Sequence, residues 1–444
     1  MVRWTSPKPS PSAVVVDGLF FPQRVVLGFD ARESTPGFKR QMVVTNAETR
    51  SSKRASIVME QSHGFQVSPN TINRICQEVG EDLAAAQEDD WRTVLTGEVP
   101  VPAVAIVEHD GGRIRTRRMN CGPGVHLSGK GWRETKNAIL VSASSETSTM
   151  DPQPDPPECF LNSKHVAKLT DTAQVRENAG ESDDLPESQP TKKPKAPRKP
   201  KKVRPPHKPK RLLRTVISSL KNSQEFGAQI EREARRRRFH EAPRKAFVGD
   251  GLACNWAIHA EHFRDFTPIL DFTHAVTYLF RASQLCASQL CAGQKEEAWS
   301  TYTRWMTCVW RGQVSDVIDE LREQQQRLGL PPEDAADDDP REQLRSILGY
   351  LENNRRRMRY NEYRCQGLPT TSAWMESAVK EINYRVKGTE MFWNHPAGGE
   401  AILQIRAAAL SDDGRLARFL ARFLARRPGC RTLRRPNHPL AQAA

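Results

Sequence analysis

No Cys-x-x-Cys pair occurs among the nine cysteines, which excludes the common zinc-ribbon spacing and any regular disulfide framework. Cys286 and Cys291 are the closest two, and both belong to an apolar repeat. Reduced thiols of an intracellular protein are the expectation. No apolar run approaches the roughly 18 residues that a membrane span requires. Residues 1–12 are rich in Pro and Ser, and the apolar run behind them, residues 13–16, is too short for a secretory leader. A soluble cytoplasmic protein with no membrane partner is expected. Hydrophobic residues are 37% of the 444, enough for a core but leaving much of the chain outside it.

What is present is positive charge. The formal net charge of +14 favours a polyanionic partner, of which nucleic acid is the commonest. Residues 51–86 read as helical. Ser68-Pro69 is a strong helix start, with Ser68 as N-cap and Pro69 at the first helical position, and Ile72, Ile75 and Val79 follow at helical spacing. A shorter helix over residues 54–61 and the turn His63-Gly64-Phe65 precede it. This is the outline of a helix-turn-helix, with Asn70, Asn73 and Arg74 near the exposed start of the second helix, though the outline alone fits a plain helical hairpin somewhat better.

Three strands are expected between residues 101 and 144: Val104-Ala105-Ile106-Val107, ending at Asp110-Gly111-Gly112; residues 113–118 after a glycine turn; and residues 137–141. Residues 146–210 turn acidic, then Pro- and Lys-rich, and are expected to be a disordered linker whose basic half either holds DNA or is a solvated spacer. Residues 212–428 read as mostly helical with two short strands. One, residues 245–249, stops at Asp250-Gly251; the other, residues 267–270, stops at Asp271, and a helical stretch with Trp256 lies between them. Residues 275–359 are nearly all helix apart from a loop at 330–340. Trp305 and Trp310 there fit a core position better than a base-stacking one.

The informative carboxylates are Asp110, Asp250 and Glu376. Strand ends in an open α/β sheet gather ligands, and carboxylate oxygens suit hard divalent ions. Two such ions support in-line displacement at a phosphodiester. A strand-end Asp-Gly taken singly is more often a turn than a ligand.

The words around these residues resemble bacterial insertion-sequence transposases of the ISKra group, relatives of the Mutator-like enzymes. The words are Phe247-Val248-Gly249-Asp250-Gly251, then Asp271-Phe272-Thr273-His274, then Ser372-Ala373-Trp374-Met375-Glu376-Ser377, then Lys387-Gly388-Thr389-Glu390-Met391-Phe392-Trp393, with Asp110-Gly111-Gly112-Arg113 leading to Trp132-Arg133-Glu134-Thr135-Lys136 as the first. The resemblance implies an α/β fold: an RNase H-like mixed sheet with a large helical insertion, plus an N-terminal helix-turn-helix region. It implies a DDE-type transposase that cuts and joins DNA at insertion-sequence ends, with Asp110, Asp250 and Glu376 holding two Mg²⁺ or Mn²⁺ ions. Asp271 and His274 would be an accessory pair, His274 being otherwise a silent core histidine. Asn70, Asn73, Arg74, Lys136, Arg385 and Lys387 would contact DNA. Domain bounds follow: a DNA-binding region at 1–95, catalytic parts at 100–145, 211–282 and 366–428, the linker at 146–210, the helical insertion at 283–365 and a tail at 429–444. The implied partners are double-stranded DNA and a second copy of the chain, in the bacterial cytoplasm at the nucleoid. A transposase-derived repressor or a nuclease without joining activity are the alternatives.

Overall fold

The computed structural model describes residues 34–89, 99–117, 126–127, 131–178, 204–290, 295–388 and 391–425. The Pro/Lys-rich half of the expected linker and the tail at 429–444 lie outside them.

Three helices lead: α1 (Pro36–Glu48), α2 (Ser52–His63) and α3 (Pro69–Asp89). Ser51 caps α2 by accepting from Arg54 N, and Gly64 ends it in the left-handed conformation, φ 70°, which glycine adopts without strain. Ser68 Oγ accepts from Thr71 N at 3.1 Å, the expected cap of α3. Ile72, Ile75, Cys76, Val79 and Leu83 of α3 face inward.

The sheet is built from β1 (Val104–Arg115), β2 (His126–Leu127), β3 (Trp132–Ser144), β4 (Lys210–Ser219), β5 (Arg244–Gly249) and β6 (Thr267–Leu270). β1, β5 and β6 are parallel neighbours, β3 runs antiparallel to β1, and β4 pairs antiparallel with the outer side of β3, β2 meeting the far end of that same side. α5 (Ser223–Arg236) lies on one face, where Phe226 meets His109. The opposite face receives α12 (Ala373–Val386), whose Met375 N donates to Glu108, and α13 (Pro396–Leu410), whose Gln404 donates to Ser218 O. α4 (Ser163–Asn178) precedes β4. α6 (Ala253–His262) joins β5 to β6. α7 (Phe272–Leu290), α8 (Lys295–Trp310), α9 (Val314–Leu328), α10 (Pro340–Asn354) and α11 (Tyr360–Cys365) form the helical stretch before α12, and α14 (Arg415–Ala425) follows α13. Trp305 and Trp310 are buried, as their apolar pattern indicates. Among the described residues no helix is long and apolar enough to cross a membrane.

The sequence reading differs from the structure in three places. Asp110-Gly111-Gly112 is not a turn: β1 runs through it, paired with β3 from Val104↔Ala143 to Arg115↔Trp132. Gly112 is needed for closeness rather than bending, because a Cβ there would stand 2.6 Å from Thr135 Oγ1. β4 is a ten-residue strand in a region expected to be helical. Finally, the segment expected to begin a disordered linker is ordered as far as Asn178. Phe160 and Val166 are buried, Trp310 Nε1 donates to Gln153 O at 2.9 Å, and Arg364 Nε donates to Asp151 Oδ1 at 2.8 Å. A few apolar anchors and one ion pair suffice to seat a segment whose overall composition is polar.

Candidate active site

Strand register places the first candidate residues. The β1–β5 pairing ends at Glu108↔Val248 and the β5–β6 pairing at Gly249↔Leu270. Carried on by two residues and by one, the same registers put Asp110, Asp250 and Asp271 level across three parallel strands, each spaced by about 4.8 Å. The line lies where β5 and β6 stop and β1 continues.

Asp250 is held firmly. Its Oδ1 accepts from Asn255 Nδ2 at 2.6 Å and Leu252 N at 3.0 Å, and its backbone oxygen accepts from Tyr350 Oη at 2.7 Å. Burial pushes its carboxyl above the usual range, and the negative charge of Asp271 adds to this against the opposing effect of His274. Gly251 follows with φ 99°, and a Cβ there would stand 2.5 Å from the Tyr350 ring. Both facts demand glycine. Gly251→Ala is expected to cost at least about 1–3 kcal/mol of stability, measured by urea unfolding; an unchanged midpoint would show that neither the backbone nor Tyr350 constrains this turn.

Asp271 is fully buried and spends its oxygens inside the protein. Oδ2 accepts from Ser372 Oγ at 2.7 Å and meets His274 Nδ1 at 2.9 Å; Oδ1 accepts from Thr273 N at 3.0 Å and Ser372 N at 3.3 Å. Burial acts to raise its pKa, but the hydrogen bonds and charge of His274, with Ser372 and Thr273, outweigh it and hold the carboxyl below its usual range. His274 is the counterpart. Burial acts against its charge, yet Asp271, Asp250 and Asp110 together raise it to about 9, so it is an imidazolium at neutral pH. One histidine therefore senses all three level aspartates.

Glu376 comes from α12. The strand-end network fixes that helix at its start: Ser372, its N-cap residue, is bound by Asp271, and Met375 N donates to Glu108 Oε2 at 2.9 Å. Glu376 is the next residue along, a third exposed, with Lys380 Nζ 4.0 Å away. Its charge and that of Asp271 both act on Glu108, whose carboxyl burial drives well above the ordinary range. Glu108 is a residue the sequence reading missed. Alternation along β1 puts it on the same face as Asp110, two residues on, and that spacing was the available signal. Its Oε1 is buried without a hydrogen-bond partner. Tyr350, Asn255 and Ser372 were also missed; they lie too far from Asp250 or Asp271 in kind or in sequence for any spacing to announce them.

At this end of the sheet Asp110, Asp250 and Asp271 lie within electrostatic reach of His274, and Asp271 and Glu376 within reach of Glu108. The other named residues do not join them. Asn70 and Arg74 are exposed and Asn73 half-buried on α3. Lys136 is buried on Glu134 at 2.6 Å. Arg385 is buried as well, donating to Asn46 O at 3.0 Å and Asn46 Oδ1 at 3.1 Å, so its guanidinium ties α12 to α1 rather than facing solvent. Lys387 is half-buried, 5.9 Å from the Trp132 ring.

Among the described residues no group of three or more His, Cys, Asp or Glu side chains is placed to hold a metal ion. By chemistry alone, the carboxylates of Asp110, Asp250 and Glu376 and the unpartnered Oε1 of Glu108 are oxygen donors of the kind a hard divalent ion takes.

No family model and no curated protein matches the chain. Among solved structures it is similar to the Drosophila P element transposase strand transfer complex, with a TM-score of 0.36 and 9% identity over 88% of this chain and 96% of that one. At that distance the functional case rests on this chain's own residues.

Proposed function

We propose that this chain is a DDE-type DNA transposase, of the kind its ISKra-like and Mutator-like motifs suggest, and that the Asp110–Asp250–Glu376 cluster is its catalytic site. The single observation carrying this reading is the alignment of Asp110 and Asp250 on neighbouring parallel strands, beside a helix whose first turn presents Glu376 and whose start is pinned by Glu108 and Asp271. A mixed sheet with three antiparallel strands followed by two parallel ones is the order an RNase H-like domain would have, and in that way supports the reading.

Asp110, Asp250 and Glu376 would hold two Mg²⁺ or Mn²⁺ ions. When bound, such ions supply Lewis acidity and charge neutralisation at phosphorus. The protein's own groups set the geometry. Asn255, Leu252 and Tyr350 fix Asp250. Glu108 and Asp271 fix the helix that bears Glu376. His274 is held against Asp271 through Nδ1 and sets that carboxylate's orientation. In cleavage a water oxygen bonds to phosphorus as the P–O3′ bond breaks, leaving a 3′-hydroxyl. In joining, that hydroxyl oxygen bonds to a target phosphorus and the target's 3′ oxygen departs. No covalent link to the protein is required. Asn70, Asn73 and Arg74 on α3 would read the element's end, and two chains would bring two ends together in the bacterial cytoplasm.

The test is a labelled duplex carrying the DNA that flanks the coding sequence, incubated with purified protein and Mg²⁺. The expected result is nicking and joined product, both abolished by EDTA. Binding without cleavage would replace this reading with a DNA-binding protein, and cleavage without joining with a nuclease.

A further inference from the structure

β1 does not stop at the carboxylates. It continues five residues past Asp110, and alternation puts Arg113 and Arg115, with Arg117 just beyond the strand, on one face about 7 Å apart. Each guanidinium lies on an aromatic ring. Arg113 is 4.6 Å from the Trp132 ring centre; Arg115 is 5.7 Å from Trp132 and 4.5 Å from Phe392; Arg117 is 5.6 Å from Phe392. Lys387 adds a fourth cation 5.9 Å from Trp132. The platform is fixed at its edge, because Trp393 N donates to Arg115 O and Arg117 N to Trp393 O, both at 2.9 Å. Phe392, 37% exposed, presents its ring at the surface. Among the described residues of β1 and β3, Glu134 is the acid opposite Arg113, 2.6 Å from Lys136.

Arginine stacked on an aromatic ring is weakly hydrated and held in place, so its fork meets a phosphate at a low ordering cost. Three such forks in a row, beginning three residues beyond Asp110 on the other face of β1, match a chain of phosphates passing round the end of the sheet rather than a compact ligand. The exposed aromatic ring suits a base face, which any sequence offers.

We propose that this arginine–aromatic ribbon grips the phosphate backbone of the DNA strand leading away from the carboxylate site, independently of sequence; the proposal rests on the DNA-processing reading above. Full-length protein would be titrated against a fluorescent duplex with a single-stranded overhang at several salt concentrations. The variant Arg113→Gln/Arg115→Gln/Arg117→Gln is expected to lose at least about tenfold in affinity and to flatten the slope of log K against log salt by roughly 2–3, at about 0.7–0.9 for each phosphate no longer neutralised. The matching triple Lys variant should keep the slope, which a mere folding defect would not. Phe392→Ala should weaken binding to the overhang by about tenfold and to blunt duplex far less. If wild type binds and the Gln variant keeps both slope and affinity, the ribbon is not the grip and the functional reading stands. If wild type binds no DNA, that reading fails first and takes this one with it.

Discussion

Asp250→Asn should reduce Mg²⁺-dependent strand cleavage by about 10³-fold or more while leaving the melting temperature unchanged or raised. Losing a charged ligand at a reacting phosphate forfeits several kcal/mol of transition-state stabilisation, and each 1.36 kcal/mol is a factor of ten. The fold should tolerate the change because Asn keeps an oxygen to accept from Asn255 and Leu252. The sign on stability follows from the raised pKa of Asp250. A folded-state value above the unfolded one means that the ionised form is disfavoured by folding, so at neutral pH the carboxylate costs stability that a neutral amide does not. Asp271→Asn should behave differently. It removes the partner of His274 and weakens the anchor of Ser372, so activity and melting temperature should fall together. Cleavage rates and thermal melts in EDTA separate the two outcomes. An Asp250→Asn protein that cleaves within tenfold of wild type removes Asp250 from the chemistry.

The parts of this site that the sequence made legible are those specified by short local signals. β5 and β6 are brief runs of apolar and β-branched residues that stop at an aspartate, and both strands and stops lie where the residues put them. The α3 start is written in Ser68-Pro69. What was hidden depended on partners far along the chain. Asp110-Gly111-Gly112 reads locally as a break, yet pairing with β3 carries the strand through it. β4 begins in a basic tract, and its alternation is obscured by Arg214, a buried strand residue whose charge is met by Glu381 at 2.9 Å and whose other end donates to Leu410 O. Arg385 reads as a surface cation in a DNA-binding protein; its acceptor is Asn46, on a helix more than three hundred residues earlier. Charge predicts exposure only on average, because a guanidinium whose donors are matched can be buried.

The same exception produces the largest expected loss of stability. Arg415, at the start of α14, is buried between two buried carboxylates. Its Nη2 lies 2.6 Å from Glu233 Oε1 on α5 and 2.6 Å from Asp413 Oδ2, and it also reaches Thr215 on β4 at 3.3 Å. Arg415→Met would leave Asp413 without its cation and Glu233 with only Arg236 at 3.4 Å, a loss of about 3–5 kcal/mol at neutral pH. Burial acts to raise the pKa of Asp413, but the hydrogen bonds and charge of Arg415 hold it below the ordinary carboxylate value. A depressed folded-state pKa contributes stability that is complete above the unfolded value, near 3.9, and is lost as pH falls through the folded one. Wild type should therefore weaken steeply in acid, and the deficit of the Met variant should be large at pH 7 and smaller near pH 3, as read by urea unfolding. Adding Glu233→Gln and Asp413→Asn to the Met variant should recover much of the loss, because the penalty lies in uncompensated charge rather than in missing volume. A deficit of equal size at both pH values, and no recovery in the triple variant, would mean that Arg415 stabilises this corner by packing alone.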